Sequence, residues 1–316
     1  MGLFLVDYTH DRIRPMLPDH KILLETLNIQ SPQLLGSGME GYVYDYFDDK
    51  VIKIWRDKHA KINQLQERQQ LYEMLADQMQ IYIPEIYEIG TVDSKTYTVE
   101  KKLFGKAGHV VYLTASEEVK IALLNNYFAL LEELKKITIS GKYGQILSSS
   151  MGKLQANTWT EFLGMKLAIT KQEVITKPDH DIADIGKVFD YFFNSALPKL
   201  SKNPQKNLVH GDIFFENILA DDKGSITGLL DFSSLTVIGD HIMDVTGLVY
   251  FACVTEGIGE NVKKYLLEKA KQNYPDDFKM VDIYLAYYSL LFINSKSYDP
   301  RTYTWCVNNL KKLGYL

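Results

Sequence analysis

The chain has 316 residues, 46% of them hydrophobic and 24% charged, which is enough to bury a sizeable core and excludes disorder. A formal charge of −5, from 35 Lys and Arg against 40 Asp and Glu, leaves no basic footprint for nucleic acid. No apolar run approaches the length of a membrane span, and the apolar stretch of the N-terminal MGLFLVDYTHD is too short for a signal peptide.

Cys253 and Cys306 are far apart in sequence and follow no metal-ligand spacing, which fits a reducing compartment, so a cytoplasmic location is expected. Residues 34 to 56, LLGSGMEGYVYDYFDDKVIKIWR, alternate apolar and polar positions around two turns and predict a three-stranded antiparallel meander. A helix is expected from about Lys58 to Met79, where Ile62, Leu65, Tyr72, Leu75 and Met79 fall near helical spacing. Pro84 ends it, and YIPEIYEIGTVDSKTYTVEKKL supplies two more strands around a turn.

Beyond Gly105 the patterns turn helical, near 116–137, 158–173, 180–200, 244–256, 260–273 and 279–296. Short strand-like runs, LVHG, NILAD and ITGLLDF, interrupt them. The reading is a smaller lobe over residues 1–103, a short connection, and a mostly helical lobe over 104–316. No internal repeat is visible, and the boundaries between Ser140 and Pro204 are the hardest to place.

Five stretches carry chemistry. Gly36-Ser37-Gly38-Met39-Glu40-Gly41 fits G-x-G-x-x-G, but a strand follows the third glycine where a dinucleotide fingerprint would need a helix. The stretch therefore reads as a hairpin turn whose backbone amides can approach phosphates, with a tight turn and no ligand as the plain alternative. Lys53, inside VIKIW, sits where a strand lysine pairs nucleotide phosphates and a helix glutamate. Glu67 and Glu73 are the candidates for that glutamate, and Glu67 is favoured because Leu71 and Leu75 follow at plus four and plus eight.

LVHGDIFFENIL holds His210, Asp212 and Asn217 in an H-x-D-x-x-x-x-N spacing, and Asp231 closes the apolar run ITGLLDF a hairpin's length later. A buried run ending on a carboxylate, close to a second carboxylate and an amide, needs a cation or donors in compensation, and Mg²⁺ held by Asn217 and Asp231 would supply it. Glycine turn, strand lysine, helix glutamate, H-x-D-x-x-x-x-N and D-F occur in the order that phosphoryl transfer requires.

With these pieces in place the chain resembles the aminoglycoside phosphotransferase and choline kinase family, the small-molecule branch of the protein-kinase-like fold. The likeness runs from Leu34 to about Tyr250 and is most specific over LVHGDIFFENIL, GLLDFSSLTVIGDHIMDV and IPEIYEIG, nearest in pattern to hygromycin-type phosphotransferases. It implies an α+β bilobal fold, with a small antiparallel sheet and one helix in the first lobe. It also implies Asp212 as the catalytic base, Asn217 and Asp231 as Mg²⁺ ligands, and Asp244 and His210 as supports of the catalytic loop. Gly36, Ser37, Gly38, Gly41, Lys53 and Glu67 would hold ATP or GTP, and the connection at Glu100, Lys101 and Leu103 would read the base with backbone atoms.

Two departures set the chain apart from protein kinases: Gly211 stands where an Arg would answer a phosphorylated activation loop, and Ser233 replaces the Gly of D-F-G. The 13 residues from Asp231 to Asp244 are too few for a peptide-docking segment. The expected activity is phosphorylation of a hydroxyl on an aminoglycoside-type antibiotic, hence antibiotic resistance, by a protein with no nucleic-acid or membrane partner. A kinase of choline, homoserine or a sugar derivative is the alternative, and a catalytically silent nucleotide-binding protein the third reading. Asp240, Glu256, Glu260, Trp159, Tyr250, Tyr287 and Trp305 are candidates to contact the acceptor.

Overall fold

The structure is a computed structural model that describes residues 5–6, 17–38, 40–56, 61–149, 152–252 and 254–316. Most of MGLFLVDYTHD, Met39, the expected helix start at Lys58, and Cys253 lie outside them. In chain order the first half holds β1 (Leu5–Val6), α1 (Lys21–Thr26), β2 (Leu34–Ser37), β3 (Gly41–Tyr46), β4 (Lys50–Trp55), α2 (Ile62–Ala76), β5 (Ile86–Val92), β6 (Lys95–Lys101), β7 (Lys106–Ala107), α3 (Gly108–Thr114) and α4 (Glu117–Lys136). Then come β8 (Tyr143–Gln145), β9 (Gln155–Ala156), α5 (Trp159–Thr176), α6 (Ile185–Ser195), β10 (Asn207–Val209), β11 (Ile218–Ala220), β12 (Ile226–Leu229), β13 (Val237–Gly239), α7 (Ile242–Phe251), α8 (Glu260–Asn273), α9 (Val281–Phe292) and α10 (Pro300–Lys312).

Two compact units result. The first comprises residues 1–133, 147–149 and 214–233, and the second the remainder. The first unit thus runs past Leu103, because β7 pairs with β11 (Leu219 opposite Ala107) and Thr227 Oγ1 donates to Phe104 O at 2.9 Å. Chain well beyond residue 103 is thereby bound into the first body.

Within the first unit an antiparallel sheet runs β1-β2-β3-β4-β6-β5, and its two faces follow from the period of two along a strand. Leu34, Tyr44, Ile52, Ile54, Tyr97 and Val99 point to one face and pack with Leu23 and Leu24 of α1. Val51, Lys53 and Trp55 of β4 alternate with them and point to the other. The smaller sheet β12-β11-β7 is fixed to the segment after α2 by Tyr82, which donates to Thr227 O and accepts from Leu229 N, both at 3.0 Å.

The second unit builds a sheet ordered β10-β13-β8-β9 beside α5 to α10. Helix α7 is buried all round, and α9 buries Tyr284, Leu285, Tyr287 and Tyr288. Among the described residues no helix is long and apolar enough to cross a membrane.

Most acceptor-contact candidates turn out to build this core or its surface. Trp159, Tyr250 and Tyr287 are buried, and Trp305 packs its ring 5.9 Å from Phe251. Glu256 and Glu260 sit in exposed ion pairs with Arg301 and Lys263. Asp240 accepts from Ile242 N at 3.1 Å and from the Tyr284 hydroxyl at 2.6 Å, while that hydroxyl accepts from Trp159 Nε1 at 2.8 Å. Tyr284→Phe removes the link from a buried carboxylate, so a loss of about 1–3 kcal/mol in unfolding free energy is expected. Denaturant titration checks it, and an unchanged midpoint would show that the chain of bonds contributes nothing.

Candidate active site

Strands β2 and β3 form the hairpin that carries the glycine-rich turn, with Gly36 opposite Val43 and Ser37 opposite Tyr42. Gly38 N donates to Gly41 O at 2.9 Å and closes the turn. A Cβ on Gly41 would come 2.3 Å from Ile54 O of β4. That glycine is required by close approach to the neighbouring strand, whatever ligand the turn receives.

Lys53 and Glu40 are both buried, at 6% and 8% exposure, and Lys53 Nζ donates to Glu40 Oε2 at 2.9 Å. Arg68 of α2 grips the same carboxylate with both ends of its guanidinium, Nη1 to Oε2 and Nη2 to Oε1, each at 2.9 Å. The two cations also flank Trp55, Lys53 Nζ lying 3.8 Å and Arg68 Cζ 4.9 Å from its ring centroid. Burial pushes the Glu40 carboxyl up, but Arg68 and then Lys53 outweigh it and hold the group well below the usual carboxylate range.

The carboxylate on Lys53 therefore comes from the turn, which corrects the expectation of Glu67. Glu67 turns elsewhere, its two oxygens accepting from Ser148 N at 2.8 Å and Ser148 Oγ at 2.9 Å. The reason lies in helix phase. The buried residues of α2 are Leu65, Leu71, Tyr72 and Leu75, and Arg68, three residues after Leu65 and four before Tyr72, falls among them, while Glu67, four before Leu71, borders the same face on the side of Ser148. Glu73, the other candidate, lies on the exposed side.

Around this cluster lies a cleft within the first unit, lined by Val43, Val51, Lys53, Arg68, Tyr72, Glu100, Lys101, Leu103, Leu230 and Asp231. Burial pushes the Tyr72 hydroxyl well up, with Glu100, Glu40 and Asp231 adding to it against the pull of Arg68. Glu100 accepts from Thr98 Oγ1 at 2.5 Å, and Thr98 Oγ1 in turn accepts from Trp55 Nε1 at 2.9 Å. In the connection, Lys101 N donates to Glu85 O and Lys102 N to Asp49 O. Two backbone donors there are thus already engaged.

Asn217 and Asp231 end the two arms of the β11–β12 hairpin. Ile218 pairs with Leu229, and Asn217 O accepts from Leu230 N at 2.8 Å. Asp231 adopts φ +61, a conformation a non-glycine residue rarely holds, and the next residue, Phe232, packs its ring 5.8 Å from Tyr72. The donor set suits magnesium: two buried oxygen donors, an amide and a carboxylate, and no cluster of three acidic, His or Cys ligands among the described residues. That leaves coordination positions for water and phosphate oxygens, as Mg²⁺ demands.

The second unit holds the H-G-D loop. Asp244, in the first turn of α7, accepts from His210 N at 2.7 Å and from Gly211 N at 2.8 Å, one bond per oxygen. Burial pushes the Asp244 carboxyl up to about 7, the two N–H donors pull it down, and Asp212 adds a further upward push. His210 Nδ1 accepts from Asp212 N at 3.3 Å, which puts the proton of the neutral ring on Nε2, and His210 O accepts from Thr236 Oγ1 at 3.2 Å. Gly211 has φ +78, and a Cβ there would meet Leu235 O at 2.2 Å, so no arginine can occupy the position. Asp212 itself is buried to 2% exposure.

A family model described as APH, phosphotransferase enzyme family, matches residues 33–275. The chain belongs to that family. It is a phosphotransferase with a hydroxyl acceptor. No curated protein sequence matches it. Among solved structures it is similar to the streptomycin–ATP ternary complex of APH(2″)-IIa, with 18% identity over 96% of this chain and 98% of that one, at a TM-score of 0.63. The GDP and kanamycin complex of APH(2″)-IIIa gives 18% identity over 95% and 98% at 0.59. A fructosamine-3-kinase, assigned as such only provisionally, from Haemophilus somnus 129PT gives 18% over 92% and 96% at 0.58. These likenesses show the fold, a kinase-like α+β architecture.

In this phosphotransferase the Glu40 bridge joins three pieces of chain, and removing one partner of such a buried group is costly. Glu40→Gln is expected to lower stability by about 3 kcal/mol or more at neutral pH. Because the folded carboxyl titrates below its ordinary value of 4.5, the wild-type advantage is full above that pH and fades as pH falls below it. Melting temperatures of both proteins at pH 7 and pH 3.5 check this, the gap narrowing at the lower pH.

Proposed function

We propose that the protein transfers the γ-phosphoryl group of ATP or GTP, with Mg²⁺, to a hydroxyl of an aminoglycoside-type antibiotic. The observation that carries the reading is the buried Lys53 in a cleft that also holds Asp231, with Asn217 on the same hairpin. Family membership fixes phosphotransfer as the reaction, and solved structures of the same fold hold streptomycin, kanamycin and gentamicin. A chain of net charge −5 also suits a polycationic acceptor. The fructosamine kinase neighbour supports a second reading, in which the acceptor is a sugar derivative of primary metabolism.

In this mechanism Lys53 neutralises charge on the nucleotide phosphates, and the glycine-rich turn of Gly36, Ser37, Gly38 and Gly41 offers backbone amides to them. Asn217 and Asp231 would hold the magnesium ion, which neutralises phosphate charge when bound. Backbone groups of the connection at Glu100, Lys101 and Leu103 would read the base. Asp212 orients the acceptor hydroxyl and takes its proton, a contribution of about 10² to 10⁴ in rate. Asp244 acts through the loop by fixing two successive backbone amides ahead of Asp212.

Asp212→Ala should abolish nearly all transfer while nucleotide binding survives, because the carboxylate acts on the acceptor and not on the nucleotide. A coupled nucleotide-consumption assay with ATP and GTP against aminoglycosides, choline, homoserine and sugar amines measures it, and near-normal turnover in the variant would sink the assignment. Asp231→Ala should instead raise the magnesium concentration needed for half-maximal rate, and an unchanged magnesium dependence would remove Asp231 from the metal site. Turnover of a sugar amine with none of the antibiotics would favour the second reading.

A further inference from the structure

Lys53 and Arg68 direct three N–H···O bonds and two positive charges at one small anion, the Glu40 carboxylate. Charge and geometry here are those of a phosphate site: a planar guanidinium gripping two oxygens and an ammonium sharing one of them. The cleft beside them is lined by Lys53, Arg68 and Asp231. The Glu40 carboxylate holds the N–H donors that a nucleotide's phosphates would need at Lys53.

The geometry points to an anion exchange: Lys53 and Arg68 together form the triphosphate-binding pair, and the Glu40 carboxylate is their resident anion until nucleotide displaces it. This rests on the nucleotide-kinase reading above and adds two residues to it. Glu40 differs from a helix glutamate that positions a strand lysine, because it belongs to the turn proposed to cover the phosphates. A carboxylate on that turn and a phosphate beneath it compete for the same N–H donors, whereas a helix glutamate would share the lysine with the phosphate. Arg68 keeps a cation on the helix at the point where Glu67 has turned away to Ser148. Trp55 lies against both cations and so reports which anion they hold.

The test titrates inorganic tripolyphosphate, MgATP and MgGTP into the full chain, following tryptophan fluorescence and heat of binding. Glu40→Gln should bind tripolyphosphate about tenfold more tightly than wild type, since it removes the competing charge, and Arg68→Lys about tenfold more weakly, since it loses the fork. The fluorescence change on binding should vanish in Trp55→Phe. Weaker binding by Glu40→Gln would mean that Glu40 merely positions Lys53, and unaltered binding by Arg68→Lys would remove Arg68 from the phosphate site; either overturns the inference. Should Glu40→Gln fail to fold, Glu40→Asp, one methylene too short for the full bridge, must also bind more tightly, and equal or weaker binding refutes the exchange. Wild type that binds neither nucleotide overturns the kinase reading together with this one, whereas nucleotide binding that ignores Glu40 and Arg68 overturns this one alone.

Discussion

A carboxylate as buried as Glu40 would be too costly to ionise alone, and it stays ionised because Lys53 and Arg68 both reach it. The three side chains come from the turn between β2 and β3, the middle of β4 and the buried stripe of α2, so one bridge sets where each piece stands with respect to the others. Trp55 supplies the floor beneath both cations and hands its own N–H to Thr98, which in turn donates to Glu100 at the start of the connection. A continuous polar path thus runs from the glycine-rich turn to the segment expected to meet the base. It crosses the face of the sheet opposite the α1 core.

The second unit solves the same problem, a buried carboxylate, with neutral donors in place of cations. There a buried carboxylate, Asp244, is held by two backbone amides, and those amides are the ones that shape the H-G-D turn. Gly211 makes the arrangement possible because its positive φ and its contact with the Leu235 carbonyl leave no space for a side chain. The glycine that separates this loop from that of protein kinases is thus a steric requirement of the local backbone. Asp212 follows directly on the two amides that Asp244 fixes, so its backbone position is set by that carboxylate.

The strands of the first sheet were legible because alternation over six or seven residues records two faces, and the helices 117–136, 159–176 and 260–273 because their apolar positions repeat over several turns. Strands β8, β9 and β13 have two or three residues, too few to show any period, and α1 has six. Helix α10 carries a readable start, Asp299 capping Thr302 N before Pro300 at the first position, but its polar composition conceals it. At the site, Lys53, Asp212, Asn217 and Asp231 are named by motif order, and of these Lys53 and Asp231 line the cleft. Glu40 and Arg68 were missed because a glutamate in a turn and an arginine on a helix both read as surface; the available signal was that Arg68 keeps the stripe of Leu65, Tyr72 and Leu75. Of the aromatic candidates, Trp159, Tyr250 and Tyr287 are buried, because a large aromatic side chain belongs in a core as readily as in a cleft.

The β11–β12 hairpin is pinned at both ends. Tyr82 grips it beside Gly228, and at the turn Asn126 of α4 donates to Gly224 O at 2.8 Å while Asp221 ties Lys223 N and Ser225 N. A slip of one residue in this ladder would send the side chains of a whole arm to the opposite face. The oxygen donors at the two arm ends are therefore inherited as a pair, and their spacing is set by anchors that lie in neither motif. A change in α4, some ninety residues upstream of Asn217, would therefore shift both residues proposed to hold magnesium, although α4 itself supplies neither.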